Sequence, residues 1–378
     1  MIHASIACNL DRNILLAALP LLEAEKVEAV EWSFDTLSHF REVPPWFFEL
    51  LQTFSESKRL VGHGVFFSLF SGQWTEAQQN WLLHLKQLSK TFQFDHITEH
   101  FGFMTGADFH TGAPISLPFT PTTLAIGRDR LARIQEACQC PVGLENLAFA
   151  YSLDTVKRHG EFLEQLIAPL NGFIILDLHN LYCQLHNFDL PFEALIALYP
   201  LHRVREIHIS GGSWEDSPLL AGKAIRRDTH DDAVPEAVFE LLRKAIPLCP
   251  ELRYVVLEQL GNGLETEASR LAFQEDFERL SQILQPWREL PNSQGNTFLP
   301  ARLPDTQSPP LQDARLHAEQ MQLSDILETA SDYEDAKKRL AASDLAQSAW
   351  DTENWEPAML ETAIRIAQKW KRGFVSGE

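Results

Sequence analysis

Eight short apolar stretches, separated by helix-like segments, constrain the fold of this chain more than any other feature. Each stretch has the residue types of a buried β-strand, and the eight begin at Ile2, Val27, Leu60, Asp95, Pro141, Phe173, Val204 and Tyr254. Strands that alternate with helices are typical of parallel β-α units, and eight such units favour a closed barrel. A doubly wound open sheet is the alternative, but neither a G-x-G-x-x-G loop nor a Walker loop follows the first strand. We therefore predict an α/β fold, a (β/α)8 TIM barrel.

The strand–helix alternation stops near Gln285, which predicts a barrel domain over residues 1–285. Residues 286–314 are rich in proline and lack periodicity, so we interpret them as a linker or as an extended segment that wraps the barrel. Residues 315–378 predict a small helical C-terminal unit. Its last helix-like segment carries four apolar residues on one face, Leu360, Ile364, Ala367 and Trp370. We expect this unit to pack on the barrel, or to dock a partner or peptide.

Composition narrows the class of protein. The formal net charge of −20 disfavours a nucleic-acid partner, because such a surface repels phosphates. No apolar run approaches the roughly 20 residues that span a bilayer, and the N-terminus lacks the features of a signal peptide. The five cysteines form no C-x-x-C pair. We therefore expect a cytoplasmic protein with reduced cysteines and no membrane partner.

Polar side chains stand where most of these strands end. In chain order they are His63, Glu99, His100, Glu145, Asn146, Asp177, His179, Asn180, His208, Asp228, His230 and Glu258. In a (β/α)8 barrel, active sites are built at this end of the strands. Carboxylates packed together repel one another unless a cation lies among them. Imidazole and carboxylate without thiolate favour iron, manganese or zinc. The sequence therefore predicts a metal centre with too many ligands for one ion.

The motifs that carry these residues occur together in one known family. In chain order they are HGV, EH, LEN, LDxxN, IH, DTHD and a glutamate after the eighth strand. This combination resembles the multinuclear iron-dependent oxidases, formerly catalogued as a UPF0276-like family of unknown function and related to the methanobactin-maturation oxidase. The resemblance covers roughly residues 1–285 and implies a xylose-isomerase-like barrel that holds two or three iron ions.

The resemblance also implies a role for each ligand. Glu145 would bridge two irons, one of which also takes Asp177, His208 and Glu258. The second iron would take His63 and His100, and a third, weaker position would use Asn180, Asp228 and His230. Glu145, Asp177 and His179 are the expected catalytic residues. Where many members of the family have asparagine, this chain has His179, which could bind metal, act as an acid or base, or merely pack; we favour a role in supporting a ligand.

The function that the resemblance implies is oxidation of cysteine residues in a ribosomally made precursor peptide. The cofactors would be mixed-valent ferrous and ferric iron, with dioxygen as co-substrate. The expected partners are this peptide and a separate protein that presents its leader. Two alternatives stay open: a zinc or manganese TIM-barrel isomerase or hydrolase, and a non-catalytic scaffold that binds metal and peptide. SGGSW after His208 and Leu260 after Glu258 depart from the family pattern, which bears on substrate more than on metal.

Overall fold

A closed barrel of eight parallel strands forms the centre of the molecule, as the sequence predicted. A computed structural model describes residues 1–39, 43–106, 111–217, 219–288, 295–302, 304 and 306–371. The strands are β1 His3–Ala7, β2 Ala29–Trp32, β3 Leu60–His63, β4 Phe94–His100, β5 Val142–Glu145, β6 Phe173–Asp177, β7 Val204–Ile209 and β8 Tyr254–Leu257. Each strand pairs in parallel with its neighbours in chain order, and β1 closes the ring by pairing with β8. All eight stretches that the sequence singled out therefore contribute a strand.

Helices return the chain between the strands and pack around the barrel. They are α1 Arg12–Glu23, α2 Pro45–Glu56, α3 Glu76–Thr91, α4 Pro121–Cys138, α5 Leu153–Ile167, α6 Leu178–Asn187, α7 Phe192–Ile196, α8 Glu236–Ala245 and α9 Glu267–Leu284. Several begin at a residue whose side chain accepts from free backbone N–H groups. Thr75 Oγ1, for example, accepts from Gln78 N, and the side chain of Gln78 accepts from Thr75 N. Two short antiparallel hairpins rise from the barrel mouth. Phe103–Met104 pairs with Pro114–Ile115 (the β4 hairpin), and Trp214–Asp216 pairs with Ala224–Arg226 (the β7 hairpin).

Up to residue 371, the C-terminal unit contains three α-helices, α10 Ala314–Thr329, α11 Tyr333–Ala341 and α12 Pro357–Trp370. The residues from Leu316 to Ala341 have a helix-like pattern throughout, but the structure divides them between α10 and α11. The chain breaks there because Asp332 adopts an extended backbone and caps the next helix, accepting from Asp335 N at 2.9 Å. This unit packs on the barrel. Gln320 donates to the backbone of Phe70 at 2.8 Å and accepts from Gly72 N at 2.8 Å.

The described part of the proline-rich segment runs along the barrel. Arg133 donates to Thr306 O and Ser308 O, and Phe298 lies fully buried at the barrel end opposite the mouth. There its ring contacts Phe173 at a centroid distance of 5.7 Å. Residues 289–294, 303 and 305 of the predicted linker, and 372–378 of the predicted helical unit, lie outside the described residues. The boundary of this segment, and its assignment as a linker or as a wrapping segment, stay predictions.

The expectations for the cysteines and for membrane-spanning segments can be compared with the fold. All five cysteines are free, and four of them are buried. Within the described ranges, none of the helices is long and apolar enough to cross a membrane.

Candidate metal centre

Imidazoles and carboxylates from neighbouring strands meet inside the mouth of the barrel. His63, His100, Glu145 and Asp177 are each the last residue of their strand, from β3 to β6. Parallel strands deliver their C-terminal ends to the same face, so residues far apart in the chain become neighbours. Three groups of potential ligands result, each with atoms within 4.8 Å of one another: His63–His100–Glu145, Glu145–Asp177–His208 and Asp177–His230–Glu258.

The first group is arranged to present a lone pair rather than a proton. His63 Nδ1 lies 2.8 Å from the hydroxyl of Thr98, which itself donates to the carbonyl of Gly62. Nδ1 of His63 must therefore be the donor, which leaves Nε2 unprotonated in the neutral ring. Burial, helped by His100 and His208, lowers the pKa of His63 well below its usual value. Its Nε2 lies 3.3 Å from Glu145 Oε2, so a lone pair faces a carboxylate oxygen.

Such an arrangement is repulsive unless a cation or a proton lies between the two atoms. His100 Nε2 approaches the same Glu145 oxygen at 3.6 Å. Burial raises the pKa of Glu145, because a carboxylate without a compensating cation is costly in this environment. The donors and their unfavourable electrostatics fit a bound metal ion.

The second group contains buried polar atoms that no protein group satisfies. Asp177 Oδ1 accepts from Asn180 N at 2.5 Å, whereas Asp177 Oδ2 has no hydrogen-bond partner. Asn146 holds the strand end in place, accepting from Asp177 N at 2.7 Å. Burial, followed by repulsion from Asp228 and Glu145, raises the pKa of Asp177 well above its usual value. An unpartnered, buried carboxylate oxygen beside two other ligands is what a metal position requires.

Asn180 lies between the first two groups. Its Nδ2 donates to Asn146 O at 2.7 Å and to Glu145 Oε1 at 3.1 Å, which fixes the orientation of the amide. The amide oxygen is consequently turned away from both, and it is buried without a partner. It remains available as a neutral ligand.

His230 is held at the centre by a strained backbone. Its φ angle is +51°, a conformation that residues other than glycine rarely adopt and that is enriched at functional sites. The ring lies between two carboxylates, with Nε2 2.8 Å from Asp228 Oδ1 and Nδ1 3.4 Å from Glu258 Oε1. Although burial alone would lower it, Asp228 and Glu258 raise the pKa of His230 well above its usual value.

His179 uses both of its ring nitrogens within the protein. Nδ1 lies 2.9 Å from Asp228 Oδ1, and Nε2 accepts from Arg226 Nε at 3.0 Å. The arginine bond makes Nε2 the acceptor, so Nδ1 donates to Asp228. Neither nitrogen is left for an ion, and the ring therefore positions Asp228. The side chain of Asp228 is 24% exposed and stands at the outer edge of the centre.

A fourth group lies beneath the others, and the sequence predicted only one of its three residues, His208. His208 Nε2 lies 3.1 Å from Glu31 Oε2 and 3.4 Å from Glu206 Oε1, and all three residues are buried. These carboxylates orient the ring so that Nδ1 points towards Glu258, 3.3 Å away. Neither Nδ1 nor that Glu258 oxygen makes a hydrogen bond. Support of this kind by a carboxylate is usual for a metal-binding histidine.

The sequence held a signal for both missed residues. Glu206 precedes His208 by two positions, and alternate residues of a strand point to the same side. Glu31 is the third residue of β2, the only strand besides β1 for which no polar end residue had been noted. Below Glu206 the polar contacts continue through His96, whose Nε2 lies 2.5 Å from Glu206 Oε2, to Asp95 at 2.8 Å. The barrel interior is thus polar for much of its depth.

A family model decides which group of proteins this chain resembles. Residues 22–267 match the model described as RiPP precursor modification enzyme MbnB/TglH/ChrH, where RiPP denotes a ribosomally synthesised and post-translationally modified peptide. The chain belongs to this family. The resemblance drawn from the strand-end motifs is confirmed.

Several curated proteins are similar to part of this family member. A UPF0276 protein of Caulobacter vibrioides is 28% identical over 187 residues, 48% of this chain and 62% of that protein. A UPF0276 protein of Acaryochloris marina is 30% identical over 189 residues, 49% of this chain and 64% of that protein. The chain therefore spans slightly less than two thirds of the length of these relatives.

Solved structures with similar folds are xylose-isomerase-like barrels. The IOLI protein with a bound zinc atom is 12% identical, with a TM-score of 0.48 over 75% of this chain and 96% of that one. A xylose isomerase-like TIM barrel protein from Mycobacterium smegmatis in complex with magnesium is 13% identical, with a TM-score of 0.43 over 75% and 100%. The fold of this family member is established by its own strand order.

Proposed function

We propose that this protein is an iron-dependent oxidase that uses dioxygen to modify cysteine residues of a ribosomally made precursor peptide. Its family consists of RiPP precursor modification enzymes. The observation that carries the proposal for this chain is the convergence of three ligand groups that share Glu145 and Asp177, with buried oxygens left unpartnered. A centre of this kind suits two or three ions rather than one.

Some residues of the centre would bind the ions, and others would orient those ligands. We assign Glu145, with Oε2 towards His63 and His100, as the ligand shared by two ions. Asp177, His208 and Glu258 would complete one position. Asp228 and His230, with the oxygen of Asn180, would complete an outer one. The nitrogen and oxygen donors suit iron.

Iron bound here would supply the electrons for dioxygen activation and a site for the substrate sulfur. The protein contributes the arrangement around it. Glu31 and Glu206 hold His208 in one orientation, and His179 holds Asp228. Orientation by such neighbours limits the reorganisation that accompanies reaction.

Cys183 stays outside this assignment. It is buried on α6, and burial raises the pKa of its thiol well above the usual value. A protonated, buried thiol is a poor ligand and a poor nucleophile.

The test is metal analysis of protein purified without added metal, followed by Mössbauer spectroscopy of protein produced with iron-57. We expect two or three irons per chain with magnetically coupled ferrous and ferric signals. Oxygen uptake that depends on a cysteine peptide should accompany them. Stoichiometric zinc or manganese, with no oxygen uptake after anaerobic loading with iron, would contradict the proposal and favour a hydrolase or isomerase.

A further inference from the structure

A cavity of about 420 Å³ lies above the metal centre. Most of the candidate ligands line its floor, whereas Asp177 and His208 do not border it. One wall comes from the barrel and carries apolar side chains, among them Leu10, Ile14, Phe66 and Phe149. Another wall comes from the C-terminal helix α12, which lies more than ninety residues beyond the last barrel strand in the chain.

The side chains that α12 gives to the cavity form one helical face. They are Met359, Thr362, Ile366, Lys369 and Trp370, a spacing of three to four residues. The Thr362 hydroxyl donates to the carbonyl of Ala358 at 2.8 Å, so its single O–H is used inside the helix and it offers no donor to the cavity. Lys369 is exposed. The part of α12 that faces the cavity between its ends is therefore apolar.

Contacts at both ends fix α12 across the barrel mouth. At its start, Trp355 stacks on Tyr151, which follows β5, at a centroid distance of 3.7 Å, and Glu356 N donates to Tyr151 O at 2.9 Å. At its end, the carbonyl of Trp370 accepts from Gly112 N at 2.9 Å, between the strands of the β4 hairpin.

Its middle is joined to the β7 hairpin. Arg365 pairs with Glu215, which also pairs with Arg227, the residue before Asp228. Ser217 donates to Glu361 at 3.2 Å. A helix held at three points by different loops of the barrel is a fixed wall of the cavity.

We propose that α12 is the part of the substrate site that selects an apolar side chain next to the reacting residue of the peptide. This inference rests on the proposed function, since it takes the ligand to be a peptide. A peptide that reaches the metal centre through this cavity must pass between α12 and the barrel wall. A neighbouring leucine would be buried against Ile366 and Met359, whereas a polar side chain would lose water without gaining hydrogen bonds there.

The experiment measures peptide binding, without turnover, to the full-length protein loaded with ferrous iron under anaerobic conditions. The probes are two acetylated tripeptide amides, Leu-Cys-Leu and Ser-Cys-Ser, titrated by calorimetry. We expect wild type to bind the leucine peptide at least about tenfold more tightly, the size of effect that a small change in apolar contact has in a hydrophobic pocket.

The variant is Ile366→Ser, at a half-buried position that can accept a smaller side chain without loss of the fold. We expect it to reduce the tenfold preference to threefold or less. Leu83→Ser is the matched control, because Leu83 is 50% exposed on α3 and does not line the cavity. The control should keep the full preference. Metal content and melting temperature, measured for each variant, establish that the centre and fold are intact.

The results separate the two proposals. Equal binding of both peptides by wild type, or a preference that survives Ile366→Ser, would overturn the role of α12 and leave the proposed function standing. If iron-loaded wild type bound neither peptide, the peptide assignment itself would fail, and this inference with it.

Discussion

Replacing Glu145 with glutamine should empty part of the metal centre without unfolding the protein. Glu145 belongs to two of the three ligand groups, and its Oε2 lies within 3.6 Å of two histidine nitrogens. Glutamine has nearly the same shape, and its amide oxygen can still accept from Asn180. The substitution therefore removes one negative charge and little else.

The size of the effect follows from that charge. Unit charges 4 Å apart interact by about 4 kcal/mol at an effective dielectric constant of 20, and a divalent ion doubles this. If relaxation and the remaining amide oxygen recover half, about 4 kcal/mol is lost, which weakens binding of a divalent ion roughly a thousandfold. The substitution should weaken metal binding but should not lower the melting temperature of the metal-free protein. Burial raises the folded-state pKa of Glu145, so its ionised form destabilises the fold above pH 4.5, and Glu145→Gln should melt at the same or a higher temperature.

The assay combines metal content with thermal unfolding, with and without ferrous iron. Asp276→Asn is the matched control, because burial also raises the pKa of Asp276, to about 6, on α9 outside the centre. The control should keep its iron and its stabilisation by iron. Full iron occupancy in Glu145→Gln, with unchanged affinity, would refute the shared-ligand assignment. A metal-free variant that melts well below wild type would refute the electrostatic reasoning.

Three further outcomes follow. Glu31→Gln should weaken divalent-ion binding about tenfold, since the side chain orients His208. Competition with a chelator measures the affinity, and an unchanged affinity would show that Glu31 does not support His208 as a ligand. Ferrous iron should displace protons at pH 7, because neighbouring carboxylates, outweighing burial, raise the pKa of both His208 and His230 well above the usual value; a binding heat independent of the buffer's ionisation enthalpy would contradict it. Trp355→Ala should lower the free energy of unfolding by about 3–5 kcal/mol, because the buried ring stacks on Tyr151; a loss under 1 kcal/mol in urea unfolding would show that this contact is not required.

Local pattern was sufficient to predict the barrel. A run such as Phe173–Leu176 suits a strand covered on both faces, and in a barrel of such strands the acid that follows it stands at the mouth. The candidate ligands could be proposed for the same reason, since each lies at or near the end of a strand or follows one. Glu31 and Glu206 were overlooked because a glutamate inside a short strand is read as an outward-facing residue unless its register is considered.

The position of α12 could not be predicted from the sequence. An apolar stripe shows that a helix is covered, but it does not show by what. Leu360, Ile364 and Ala367 are buried, as that stripe suggested, whereas Trp370 is half-buried and lines the cavity. The contacts that place α12 join residues such as Tyr151 and Trp355, whose separation in the chain leaves no local signal.

The order in which these elements leave the ribosome has a consequence for maturation. All eight strands are synthesised before any part of the C-terminal helices, so a barrel that closes during synthesis does so first without its α12 wall. At typical rates of synthesis, the chain between β8 and the end of α12 takes on the order of 10 s to appear. During that interval the acidic mouth is open to ions from the surrounding solution, and afterwards a helix lies across it. Metal acquisition during translation and acquisition by the finished protein are therefore kinetically distinct routes to the proposed centre.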